Sequence, residues 1–157
     1  MKLVSLQRGM GFPILEGTYQ GQYDWITHLF RYGGANLMLR SVREVLHVDG
    51  EHYVRVNFHT FEQLIQSVVT NAKGMNLLEI NSMLDTVLPL VQTNLTTTDI
   101  LGLIGYAPAV LGMEMEEMTI PSSGTYGSMT GLGGRTLYAV DFQTNSELLH
   151  EFLYGSE

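Results

Sequence analysis

KLVSLQRGMGFPI, residues 2–14, decides how the rest of the chain is read. Residues 3–6, LVSL, carry apolar side chains on both faces, the pattern of a central strand covered by two layers. Arg8 stands just past the end of that strand, between Gln7 and Gly9. An arginine carried by a strand into a glycine-rich turn suits either a phosphate ligand or a solvated loop residue. The sequence further along must decide between them.

Outward from this strand, residues 7–23 hold four glycines and a proline and read as a loop. Residues 24–32, DWITHLFRY, fit a short helix stopped by Gly33-Gly34. Leu37, Leu39, Val42, Val45 and Leu46 then recur near helical spacing, which predicts a helix over 35–48. A turn at 48–51 leads to a period-2 strand at 52–58. Thr60 and Gln63 form a capping-box pattern for a helix to Lys73, followed by a second helix over 76–91. Thr96, three residues before Asp99, predicts a helix from about 97 to 111. Strands follow at 115–121 and 136–140, separated by a turn-rich stretch. A final helix is capped by Asp141 or Thr144 and ended by Gly155. Strands alternating with helices in this way argue an α/β fold, a mixed sheet with helices on both faces.

The composition narrows the function. Hydrophobic residues make up 45% of the 157 residues and charged residues 15%, which suits one folded domain with a sizeable core. A net charge of −8, with no basic run, repels nucleic acid, so none is expected as a partner. Only Lys2 and Lys73 are lysines. The other six bases are arginines, the better residue for forked contacts to phosphate or carboxylate. The absence of cysteine rules out disulfides, thiolate metal sites and a cysteine nucleophile. No stretch is long or apolar enough to span a bilayer, and Met1 runs straight into a strand without a signal-peptide pattern.

Local motifs are sparse. Asp24 and His28 form an i, i+4 pair, and His47, Asp49, Glu51 and His52 gather in one turn, but neither group has metal-site spacing. Solvated or singly bonded histidines account for both. Glu114, Glu116 and Glu117 read as a solvated strand edge. GLGGR (131–135) lacks the Lys-Ser/Thr of a phosphate loop and precedes a strand, so it reads as a hairpin turn. Arg31, just before Tyr32-Gly33-Gly34, lies where a glycine pair permits close approach of a ligand. The apolar, methionine-containing segment 75–91 suits either a buried helix or a helix lining an apolar pocket.

Taken in order, these stretches resemble the LytR-CpsA-Psr (LCP) family. KLVSLQRG is similar to that family's Lys-(Ile/Leu)-x-Ser-(Ile/Leu)-Pro-Arg-Asp strand end. Residues 25–65 resemble its short helix ending in Gly-Gly, the next helix, and a Tyr-x-x-x-(Asn/Asp)-Phe junction. LPLVQTNLTTTDILGL (88–103), MTIPSSGTYGSM (118–129) and LLHEFLYG (148–155) resemble its C-terminal motifs, collinearly. The resemblance implies a single α/β domain on the extracytoplasmic face of a bacterial membrane, held by an anchor upstream of this chain. It implies transfer of a glycopolymer, such as teichoic acid or capsular polysaccharide, from a polyprenyl-pyrophosphate carrier to peptidoglycan. Arginines and an aspartate-held Mg2+ would offset charge on the leaving pyrophosphate.

The chain departs from that pattern at the chemistry. The family's upstream strand and loop have no counterpart here, and Pro-Arg-Asp reads Gln7-Arg8-Gly9. The central arginine-rich excursion is also missing, with an apparent junction near residues 66–67. Arg8 is therefore the expected pyrophosphate contact, and Arg31 a second ligand-binding candidate that no family motif supports. Transfer is expected to be impaired. Two other readings stand beside it: a non-catalytic module binding a polyprenyl lipid or a protein, and a structural remnant. An unpaired edge on LVSL would also invite a second copy of the chain.

Overall fold

A computed structural model describes residues 1–57, 82, 88–110 and 113–155. The chain divides into two units, one of residues Met1–Glu51 and Glu114–Glu157, the other of His52–Met113. The architecture is mixed α/β, with helices and several small sheets.

In the first unit, β1 (Lys2–Leu6) pairs in parallel with β6 (Glu116–Ile120), in register from Lys2 opposite Glu116 to Leu6 opposite Ile120. Among the described residues β6 is the one strand partner of β1. Val4 and Leu6 pack against the core while Leu3 is 47% exposed, so the strand is covered on one face. This corrects the central-strand reading: the alternation of side chains about the pleat sends Leu3 and Ser5 outward.

The stretch read as a loop is a hairpin. Gly11–Pro13 (β2) pairs antiparallel with Tyr23–Trp25 (β3), across a turn containing Gly17 and Gly21, both at φ 82°. A three-residue strand ending in proline carries too little period-2 signal to be recognised. Its alternate residues Met10, Phe12 and Ile14 are nonetheless fully buried and form the centre of the core.

The helix expected over 24–32 is shorter than predicted. Asp24 and Trp25 belong to β3, Ile26–His28 form one 3-10 turn, and α1 then runs Phe30–Leu46. Gly33 (φ −160°) and Gly34 (φ 66°) break its helical geometry, as the sequence indicated. A Cβ at Gly33 would stand 2.6 Å from that of Leu37, so the bare backbone serves the chain's own packing. His47 ends α1 in the left-handed region at φ 52°.

The turn-rich stretch between the last predicted strands contains another strand. Tyr126–Thr130 (β7) pairs antiparallel with Thr136–Val140 (β8) around a 3-10 turn at Leu132–Gly134, the hairpin turn expected for GLGGR. The final helix, Phe142–Tyr154 (α3), is capped by Asp141, which accepts a hydrogen bond from the Thr144 N–H at 3.1 Å. It packs on α1, and Phe142 meets Phe12 edge to face at 5.1 Å. Buried Asn145 ties α3 to the 122–125 turn, accepting from the Ser122 N–H and donating to Thr125 Oγ1.

In the second unit, Val54–Arg55 (β4) pairs antiparallel with Gln92–Thr93 (β5). The strand predicted over 52–58 is thus two residues long as far as residue 57, and β5 was not anticipated. The helix labelled α2, Thr97–Val110, begins at the predicted Thr96 start, and Thr96 and Asp99 form a reciprocal capping box, with Asp99 N–H donating to Thr96 Oγ1 and Thr96 N–H to Asp99 Oδ2. The helix predicted from Thr60 to Lys73 and the junction near 66–67 lie outside the described residues, as does most of the segment 76–91. Leu88–Leu90 form a 3-10 turn around Pro89.

Candidate functional site

Arg8 lies where β1 runs out into the segment that crosses to β2. Gln7 N–H still bonds to the Ile120 carbonyl, whereas Gly9 C=O accepts from the Tyr138 N–H at 2.8 Å. The backbone thus leaves β6 and lies against β8 within two residues, with exposed Arg8 at the crossing. Its guanidinium stands 5.7 Å from the centroid of the Trp25 ring. No carboxylate pairs with it among the described residues.

An open cleft of about 480 Å3 surrounds this arginine, lined by Gly9, Trp25, Tyr126, Ser128, Thr136 and Tyr138 among others. Trp25 is held by its indole N–H, which donates to the Thr136 carbonyl at 3.0 Å, and by the His28 ring, 5.0 Å away. Tyr126 and Tyr138 are neighbours across the hairpin, with ring centroids 5.0 Å apart. Arg31 is exposed in the first turn of α1 and does not line this cleft. The two arginines singled out from sequence are therefore not brought to one cleft.

Below Trp25 sits a constellation that sequence reasoning missed. Asp24, fully buried, accepts hydrogen bonds from the Trp25 N–H on Oδ1 (2.8 Å) and from the Tyr32 hydroxyl on Oδ2 (2.6 Å). His28 Nδ1 is 3.1 Å from Oδ2, and Arg135 Nη1 is 3.4 Å from the same oxygen. Arg135 also donates to the Leu132 carbonyl. Burial pushes the Asp24 carboxyl up, but the bonds from Tyr32, Trp25 and His28 outweigh it, and the group lies below its ordinary range. The Tyr32 hydroxyl is pushed up to about 12 by burial and then by the Asp24 carboxylate. Of the two readings of the i, i+4 pair, solvated or singly bonded, the second holds: His28 bonds once, to a buried carboxylate. The signal of the whole constellation was partial, because Arg135 arrives from 111 residues away.

The residues at this cleft do not fit a magnesium ion. Its lining contains no carboxylate. Gly9 stands where the family has aspartate, and a Cβ there would already be 3.1 Å from the Tyr138 ring. Asp24 is fully buried beneath Trp25 and outside the cleft's lining, with both oxygens engaged by donors. Among the described residues no three acidic or histidine side chains gather into a metal cluster.

Comparison with known proteins bears on both sequence and fold. Residues 1–71 match the LytR_cpsA_psr family model. No curated protein matches the chain in sequence. Among solved structures, a transcriptional regulator from Enterococcus faecalis is similar, with 14% identity and a TM-score of 0.68, over 97% of this chain and 77% of that one. TagV of B. subtilis gives 15% identity and a TM-score of 0.68, over 98% and 84%. The structure of TagT bound to LI-WTA gives 20% identity and a TM-score of 0.63, over 97% and 78%. At these identities the likeness is one of fold. The Lys2–Gly9 strand end and the Gly33-Gly34 segment lie inside the matched residues, so residues 1–71 are similar to the LytR-CpsA-Psr family and the chain shares its fold with these solved structures.

Proposed function

We propose that the chain acts at the bacterial cell envelope, on the extracytoplasmic side, and handles a glycopolymer carried on polyprenyl pyrophosphate. The family match and the fold shared with TagT and TagV support that class of substrate. The observation that carries the reading is Arg8 itself. It is an exposed guanidinium without a carboxylate partner among the described residues, at the end of the family's signature strand and over an open cleft. Such a group makes forked, charge-assisted bonds to a phosphate. Arg31, exposed on α1, is the second anion contact proposed.

One cation is a reduced version of a clamp that would use several. Losing a single preorganised electrostatic donor costs on the order of a hundredfold or more in rate. Transfer to peptidoglycan by this chain is therefore expected to be weak, with binding outlasting catalysis. A polyprenyl pyrophosphate, with Mg2+ present, should raise the melting temperature, and Arg8→Ala should abolish the rise. A rise unchanged by Arg8→Ala but lost with a shortened lipid would favour a lipid-binding module instead. No rise with either lipid would overturn both readings.

A second reading, assembly with another copy, rests on β1. Leu3 is outward-facing and β6 is the one strand partner seen among the described residues. Light scattering of the wild type and of Leu3→Lys tests it: a dimer reduced to monomer by the lysine supports edge pairing, and a monomeric wild type overturns it.

A further inference from the structure

The open end of the β1–β6 ladder carries a pair of side chains that the proposed function does not use. The register runs from Lys2 opposite Glu116 to Leu6 opposite Ile120. The hydrogen bonds carry it one residue further. The Met1 amine donates to the Glu114 carbonyl at 2.8 Å, and the Glu116 N–H donates to the Met1 carbonyl at 2.9 Å. Bonds to the residues on either side of position 115 are the parallel-strand pattern for Met1 directly opposite Met115.

Alternation puts both side chains on the outer face. Val4, Leu6, Met118 and Ile120 belong to the core, so Met1, Leu3 and Ser5 on one strand and Met115, Glu117 and Thr119 on the other point away from it. Partners on that face touch across the ladder, since Ser5 Oγ and Thr119 Oγ1 are 2.9 Å apart. Met1 and Met115 are 45% and 50% exposed. Two thioethers therefore face solvent side by side, within one unit of the fold.

Sulfur is what separates this pair from two exposed leucines. A thioether is polarisable, a weak hydrogen-bond acceptor and a ligand for soft ions such as Cu(I). Adjacent strands stand about 4.8 Å apart. Two metal–sulfur bonds of about 2.3 Å each, set in line, span nearly that distance. Each methionine has three rotatable bonds with which to close on one ion. Exposed Glu114, Glu116 and Glu117 flank the pair and favour a cation. The nearby positive groups are already engaged: the Met1 ammonium with the Glu114 carbonyl, and Lys2 with the Leu153 carbonyl.

We infer that Met1 and Met115 form a two-thioether site for a soft monovalent metal ion of the Cu(I) class. A bound ion clips β1 to β6 at the end opposite Arg8. The site does not depend on Arg8 or on the proposed substrate.

The test uses Ag(I), which stands in for Cu(I) without needing a reductant, and the full chain labelled at its methionine methyl carbons. One equivalent should shift the Met1 and Met115 resonances together, in a set of nine methionines. Met115→Leu removes one of these resonances. In that variant the Met1 resonance should need about tenfold more Ag(I) or worse, because a second thioether on the neighbouring strand acts at a high effective concentration. Mg2+ and Ca2+, which take oxygen ligands, should shift neither. Ag(I) should also protect both residues together from peroxide oxidation to the sulfoxide, read by peptide mass spectrometry.

Leucine is nearly the size of methionine and residue 115 is half exposed, so an unchanged melting temperature is expected for Met115→Leu. The protection experiment needs no variant and stands by itself. No shift at one equivalent, a Met1 response equally strong in Met115→Leu, the same shifts with Mg2+ or Ca2+, or protection of one methionine without the other would each overturn the inference.

Discussion

Asp24 has no exposed surface, yet it is ionised by the company it keeps. Three side chains and one backbone N–H, drawn from β3, the 3-10 turn, α1 and the end of the β7–β8 turn, converge on its two oxygens. Asp24→Asn keeps the shape but removes the charge those donors answer. It is expected to cost about 3 kcal/mol in urea unfolding. The same substitution should lower the Tyr32 hydroxyl from about 12 without returning it to 10.0, because burial is the larger cause. Difference ultraviolet titration reads this directly. The pH dependence has two limbs. The Asp24 carboxyl is lowered, so its contribution to stability is present above 3.8 and lost as pH falls through the native value. The Tyr32 hydroxyl is raised, so its contribution is present below 10.0 and lost as pH climbs through about 12. Arg8 could be singled out from sequence because a strand end and a glycine bracket it. The Asp24 junction could not, because Arg135 comes from the far end of the chain and only the fold brings it near.

At the scale of elements, recognition from sequence followed length and caps. The last helix, the helix from Thr97 and the strands at β1, β6 and β8 each have enough periodic residues or a capping pair to declare themselves. The hairpin β2–β3 and the strand β7 did not, because they are three to five residues long and rich in glycine, proline and serine. Such composition reads as turn until tertiary burial of Met10 and Phe12 overrides it. The aromatic wall of the cleft was missed for the same reason, since Tyr126 lies in one of those strands. Helix α1 carries a blemish that makes a clean prediction. Ser41 is fully buried and its hydroxyl has no hydrogen-bond partner among the described residues. Ser41→Ala removes an unsatisfied polar group and improves helix propensity. It should stabilise the protein by about 0.5–1 kcal/mol, visible as a higher melting temperature. By contrast, Gly131→Ala should destabilise by about 3 kcal/mol, because its Cβ would collide with Leu137 and stand 2.6 Å from the Tyr23 carbonyl oxygen.

At the scale of the whole molecule, the first unit is assembled from two stretches distant in sequence. Its parallel ladder joins residues 2–6 to residues 116–120, and the terminal amine of Met1 donates to the Glu114 carbonyl at 2.8 Å. Ile120, fully buried at the end of that ladder, is a direct test of the coupling. Ile120→Ala should cost about 3 kcal/mol and accelerate amide exchange in residues 2–6 as well as in β6. Residues 52–113 leave and re-enter the first unit between Glu51 and Glu114. To the ladder they are a closed loop, and the entropy of closing a loop grows only with the logarithm of its length. Doubling it adds about 0.6 kcal/mol. Insertions and deletions between Glu51 and Glu114 are therefore energetically slight for the ladder, so its register can persist through lineages in which the intervening segment changes greatly in size.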